Sequence, residues 1–249
     1  MLTLEGFLDC FAYSQLFIDG LISTVTMSFL TVIFGFILAL VLALLRMSNF
    51  QPLRFLEGKA PNALAHFNPL RFLASAYVEV FRATPLMVQL FIIYYIVLAG
   101  VELPAFKLFG VIRFERMIPG VFALSLNSAA YLSEIIRSGI QSIDGGQTEA
   151  ARSLGMTQAQ NMRYIILPQA IKNILPAIAN EFVTIIKESS ISWTIGTVEI
   201  MAAVQSITSA TYRAGEPLIV AACLYFCLTF PTSKIIEHFE RKMSRGNKR

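Results

Sequence analysis

Between Asp19 and Arg46 the chain runs for 26 residues without a charge. A helix of that length crosses a bilayer with some tilt, and it satisfies its own backbone, which lipid cannot do for it. Further charge-free runs lie at 83–101, 117–133 and 217–233. The last two hold 17 residues each, near the lower limit for a crossing helix, and flanking apolar turns extend both. Another apolar stretch, about 174–200, is interrupted by Lys187 and Glu188. Composition agrees: 55% of residues are hydrophobic, 14% are charged and the mean hydropathy is +0.63. Soluble domains carry about 25% charged residues. The expected fold is an all-α membrane protein, a single transmembrane domain over 1–249. About five spans are expected, at 18–46, 76–100, 117–137, 174–200 and 215–236, with the fourth the least regular.

Basic residues orient the spans. With the N-terminus outside, fourteen of the twenty lysines and arginines fall inside and four outside, Lys107, Arg113, Arg116 and Arg213. Arg82 and Lys187 lie at or within spans. The C-terminus and the segment 138–170 are then expected in the cytoplasm, and 102–116 and 201–216 as outside loops. Residues 1–17 read as an amphipathic or interfacial lead-in, with Leu2, Leu4, Phe7, Leu8 and Phe11 interleaved with Glu5 and Asp9. No basic stretch precedes the first apolar run, so the first span is expected to act as its own uncleaved insertion signal. The basic tail from Lys234 suits anionic lipid at the inner leaflet. The pI near 9.0 comes from this bias, and the scattered charges make no nucleic-acid footprint.

Catalytic chemistry finds no residues to stand on. There is no Gly-x-x-x-x-Gly-Lys-Ser/Thr loop to hold ATP, no Gly-x-Ser-x-Gly and no His-Glu-x-x-His, and the histidines number two, His66 and His238. Asp144-Gly145-Gly146-Gln147 echoes an ATPase signature loop, which means little without a phosphate loop. Cys223 and Cys227 share a helix face and read as small membrane-buried residues rather than metal ligands; with Cys10 they suggest no disulfide framework. No metal and no cofactor is expected.

The segment 138–170 is too punctuated for a plain connection. It carries Glu149-Ala150-Ala151, then Gly155, then Ile165 and Leu167-Pro168. Asp144 with Gln147, and Thr157 with Gln160, stand at capping-box spacing, and Gly155 sits where a helix ends in a left-handed residue. Two short helices are expected. Glu149 is placed in a first turn, Ala150 and Ala151 offer a flat patch for a partner's backbone, and Pro168 discourages helix through Leu167.

This pattern resembles the "EAA" loop of the membrane-spanning subunits of bacterial ABC importers. Ala130-Tyr131-Leu132-Ser133-Glu134-Ile135-Ile136-Arg137, Ile166-Leu167-Pro168-Gln169-Ala170 and, upstream, Tyr77-Val78-Glu79-Val80-Phe81-Arg82-Ala83-Thr84-Pro85-Leu86 are similar to the polar amino acid permease branch. The likeness covers roughly 18–240. It implies a type I importer-like transmembrane domain in the bacterial cytoplasmic membrane. It implies that Glu149, Ala150, Ala151, Leu154 and Gly155 couple the chain to a pair of separate ATPase subunits. An extracytoplasmic amino-acid-binding protein and a second permease subunit, identical or paralogous, are implied as partners. Relative to that branch, the second of two Pro-Leu-Arg-Phe-Leu copies (Pro52 and Pro69) reads as an insertion, which leaves 52–70 open.

Polar residues in spans are candidates for a translocation path or gate, because burying them is costly. Each has a second reading. Arg82 either lines the path or snorkels to the interface. Asn127 either meets substrate or hydrogen-bonds a neighbouring helix. Glu134 either gates or pairs with Arg137 one turn on. Lys187, Glu188 and Ser189 either line the path or end a cytoplasm-side helix. Pro85 and Pro176 are expected to kink or start helices. The rival function is a gradient-driven transporter or channel; an odd span count and a single broken segment argue against its paired repeats.

Overall fold

The structure is a computed structural model that describes residues 2–57, 61 and 65–245. In chain order it contains α1 (Leu4–Ala12), α2 (Ser14–Met47), a 3₁₀ turn (Arg54–Leu56), α3 (Pro69–Ala83) and α4 (Leu86–Ile92), which runs into a π-helical turn (Ile93–Val97). A two-stranded hairpin follows, β1 (Lys107–Leu108) and β2 (Ile112–Arg113), antiparallel with Lys107 opposite Arg113. Then come α5 (Phe114–Gln141), α6 (Gly145–Ser153) and α7 (Gln158–Asn161). A π turn (Met162–Ile166) leads into α8 (Leu167–Glu188), and a 3₁₀ stretch (Ser189–Ile195), α9 (Ile200–Thr211) and α10 (Gly215–Arg245) complete the chain.

Among the described residues α2 and α10 are long and apolar enough to cross a membrane, and α3 with α4 makes a third such segment if the pair, bent by 112°, forms one broken span. The five-span reading does not appear as five uninterrupted apolar helices among the described residues. α5 shows why: Ser125, Asn127, Ser128 and Ser133 are buried in protein, so its surface need not be apolar all round. The expected second span, 76–100, is interrupted at Thr84–Pro85. Proline excludes its predecessor from the α region, and Thr84 is extended at φ −112°, ψ 146°. The expected fourth span, 174–200, is α-helical only to Glu188; it tightens to 3₁₀ and stops at left-handed Gly196. Pro176 lies inside α8.

The chain divides into two compact units. The first comprises Met1–Phe34, Leu86–Ser125 and Ala179–Arg249. One of its cores gathers Cys10, Phe17, Ile200, Val204, Ile207 and Ala221; another gathers Met27, Ile112, Met117, Val121 and Leu124. Here the expected outside loop 201–216 is a correction, because α9 fills most of it. Its hydroxyls, which suggested loop chemistry, bond back along the helix: Ser206 to the Ala202 carbonyl at 2.9 Å, Ser209 to Gln205 and Thr211 to Ile207, both at 2.8 Å. Meanwhile Ala203, Val204 and Ile207 bury one face. Gly20 allows α2 to approach the Glu199 backbone, where a Cβ would sit 2.8 Å from its carbonyl.

The second unit comprises Gly35–Pro85 and Leu126–Ile178. Its core is alanine-rich, with Ala39, Ala43, Ala74, Ala129 and Ala170 around Leu132, Ile136 and Ile174. Small residues let helices approach closely in membranes, where dispersion drives packing. Asn68 caps α3 by accepting from the Arg71 N–H at 2.9 Å, while its amide donates to the Ser48 carbonyl at 2.6 Å. Residues 58–60 and 62–64 of the expected insertion, and 246–249 of the basic tail, lie outside the described residues.

Candidate functional site

The loop joining α5 to α8 is built from capped pieces. Asp144 opens α6 by accepting from the Gly146 N–H at 2.6 Å, a shorter-range bond than the box with Gln147 that the spacing suggested. α6 closes in a Schellman arrangement: Met156 N–H reaches the Ala151 carbonyl at 3.1 Å and Gly155 N–H reaches Arg152 at 2.9 Å. Gly155 stands at φ +79° with open space around its Cα, so its requirement is purely backbone. Thr157 and Gln160 complete the reciprocal capping box of α7, at 3.3 and 2.8 Å. Asn161, buried, donates to Thr148 Oγ1 at 3.1 Å and so ties α7 to α6. Its amide oxygen has no partner, and the residue lines a cavity of ≈ 570 Å³ together with Thr148, Arg152 and Met156.

Two details of the sequence reading are corrected. Because α6 begins at Gly145, Glu149 is its fifth residue, beyond the first turn where a carboxylate offsets the helix dipole. Ala151 is 3% exposed and packs inside the loop, so of the two alanines Ala150 alone presents an open surface. Leu154 stands out at 83% exposure, beside exposed Glu149 and Gly155. Pro168 does not break the chain. Leu167 is helical at φ −63°, ψ −42°, and its N–H bonds back five residues to Met162. The widened turn accommodates the bond that proline cannot donate.

Behind the loop, Glu134 forms a three-way ion cluster. It accepts from Arg46 Nη1 at 2.7 Å and Arg137 Nε at 3.1 Å, with a second short contact to Arg137 Nη2. Arg137 also donates to Gln141 at 2.6 Å. The expected pair with Arg137 is present, and Arg46 joins from the end of α2. Gly139 and Ile174 bring α5 and α8 into close contact, and Asn173 donates to Ser142 at 3.0 Å.

The other candidates fall apart from this cluster. Asn127 is buried and donates to the Phe81 carbonyl at 3.4 Å, next to a 2.7 Å bond from Tyr77 to the Leu126 carbonyl. Both bonds tie α3 to α5. Arg82 is exposed, its guanidinium 5.7 Å from the Tyr131 ring centre. Lys187 is exposed at the end of α8, Glu188 half-buried, and Ser189 buried with its hydroxyl on the Ile186 carbonyl at 2.8 Å.

Sequence reasoning missed Glu199. It is fully buried, caps α9 by accepting from the Ala202 N–H at 2.8 Å, and takes a second bond from the Tyr225 hydroxyl at 2.8 Å. Its position at the edge of an expected span concealed it. The signal available was a carboxylate three residues after a glycine, where a helix restarts.

Over residues 61–245 the chain matches the family described as the binding-protein-dependent transport system inner membrane component. It is 40% identical over 230 residues to the arginine transport system permease protein ArtQ of Bacillus subtilis (strain 168), covering 92% of this chain and 93% of that one. A putative glutamine transport system permease protein GlnP of Rickettsia conorii is 36% identical over 93% of this chain and 95% of its own. Among solved structures, an amino acid ABC transporter crystallised with histidines superposes with a TM-score of 0.81 at 43% identity, covering 97% and 100% of the two chains. The MetNI methionine ABC transporter, at 20% identity and a TM-score of 0.68 over 92% and 97%, shares the fold. These relatives favour an importer permease over a gradient-driven carrier, with ATP hydrolysis left to another subunit. The chain belongs to the family of inner membrane components of binding-protein-dependent transport systems, as an ABC permease with the type I fold.

Proposed function

We propose that this permease carries a polar amino acid across the bacterial cytoplasmic membrane, with the α6–α7 loop on the cytoplasmic side as the docking element for a pair of ATPase subunits. The observation that carries the docking proposal is the loop itself. Caps at both helices and the Asn161–Thr148 bond make it stiff, while Glu149, Ala150 and Leu154 stay exposed. ATP binding draws the two ATPase subunits together, the loop follows, and the ion cluster of Arg46, Glu134 and Arg137 passes the movement to α2 and α5 as rigid elements. Glu134 is then a brace, and Asn127 a helix tie; Arg82, Lys187, Glu188 and Ser189 remain the candidates for the path. A binding protein delivers substrate from outside, and a second permease subunit completes the pathway. The amino acid class follows from the relatives named for arginine and glutamine.

Uptake of labelled L-arginine and L-glutamine into proteoliposomes holding the whole complex tests this. Uptake is expected to stop when ATP is withdrawn and to continue when ionophores dissipate the gradients. Uptake that survives without ATP and collapses with the ionophores contradicts the proposal.

A further inference from the structure

α1 has three distinct sides. Gly6 and Cys10 are buried against the rest of the first unit. Leu4, Leu8 and Phe11, at i, i+4 and i+7, form a stripe exposed by 79, 59 and 75%. Glu5 and Asp9 lie on a side between the two, set by the 3.6-residue period. The helix is capped by Thr3, whose hydroxyl accepts from the Gly6 N–H at 3.1 Å.

A latch holds this helix to the α9–α10 turn. Buried Glu216, in the first turn of α10, accepts from the Thr3 N–H at 2.9 Å. Arg213 donates to Thr3 Oγ1 at 2.7 Å and to Glu5 Oε2 at 2.9 Å. A Cβ on Gly6 would lie 2.5 Å from Glu216 Oε1, so glycine permits the approach.

We infer that the Leu4–Leu8–Phe11 stripe lies in the membrane surface, making α1 a lipid-facing interfacial helix latched to the end of α10 by Arg213 and Glu216. Continuity identifies the occupant. Tyr13 alone separates α1 from membrane-spanning α2, and the latch joins α1 to the first turn of α10, the other crossing helix, whose most apolar stretch is only 11% buried in protein. The stripe therefore sits at the depth where two lipid-facing helices begin, and the acidic side is left for water. A face of this kind rests about 5–10 Å into the headgroup and acyl boundary. The anchorage is apolar, since the polar side carries acids.

The test uses the full chain in nanodiscs, with the single tryptophan replaced (Trp193→Phe) and Phe11→Trp introduced. Leu4→Trp serves as a second reporter; both positions are exposed, so neither disturbs the core. The probe is phosphatidylcholine brominated on the upper acyl carbons. Emission is expected to be lost in part against unbrominated lipid, as for an indole at the headgroup and acyl boundary. Adding Arg213→Gln is expected to reduce that quenching; unchanged quenching would overturn the latch. Emission that ignores bromine and responds to aqueous acrylamide would place the stripe in water and overturn the inference. Emission that ignores both would overturn it in favour of a protein occupant, a second copy if Phe11→Cys chains cross-link.

Discussion

A Cβ on Gly139 would fall 2.3 Å from Ile174 Cγ1, and one on Gly20 would fall 2.8 Å from the carbonyl of Glu199. The two clashes differ in what can give way. Gly139→Ala meets a side chain and should cost about 1–3 kcal/mol of stability, relieved by adding Ile174→Ala. Gly20→Ala meets backbone, so no single side-chain change should rescue it; thermal unfolding of the purified variants reads both. Gly155 is a third case. With no neighbour within 4 Å and φ +79°, Gly155→Ala should cost about 1–2 kcal/mol through the left-handed backbone alone, with Gly155→Asn milder. Proteolysis of the loop measures it. Glu115 adds a pH prediction. A hydrogen bond from its own backbone N–H and the Arg113 guanidinium hold its carboxyl below the usual range. A depressed carboxyl lends stability above its unfolded pKa and loses it as pH falls through the lower, folded value. The Arg113–Glu115 bridge should therefore look the same by NMR at neutral and mildly acidic pH, and loss before the usual carboxylate range is reached would refute it.

At the scale of elements, α9 turns on Glu199. Replacing it by Ala removes the cap and leaves the Tyr225 hydroxyl without its partner, and about 1–3 kcal/mol should be lost. In a double-mutant cycle Tyr225→Phe should cost less once Glu199 is gone; additivity would mean the bond contributes nothing. α9 also shows how far the sequence could be read. The long apolar run of α2, the αL glycine at 155 and the Thr157 box were legible because each is a local rule with a local residue signature. α9 was not, since Ser206, Ser209 and Thr211 look the same in a loop as in a helix that takes their hydroxyls back to its own carbonyls. The breaks at Pro85 and Gly196 fell inside apolar runs, where hydropathy is blind to backbone direction. Pro168 misled for the opposite reason: a π turn absorbs what an α-helix would not. In the site, Leu154 and Glu149 were named through the resemblance to the EAA loop, whereas Ala151's burial and Arg46's part in the Glu134 cluster depend on packing between distant segments.

For the whole molecule, the proposed transport cycle runs through a stiff loop and a brace. Glu134→Ala leaves Arg46 and Arg137 facing each other uncompensated, and it should uncouple ATP hydrolysis from uptake while the complex still assembles. Glu149→Lys and Leu154→Ser act at the surface instead and should weaken assembly itself, by about tenfold or more if Leu154 is a central anchor. The most direct measurement is co-purification of the tagged permease with its ATPase from detergent, wild type beside Glu149→Lys. The ATPase is expected to accompany the wild type and to be lost from the variant, with equal permease in the membrane. Equal retention in both would contradict the role given to the loop.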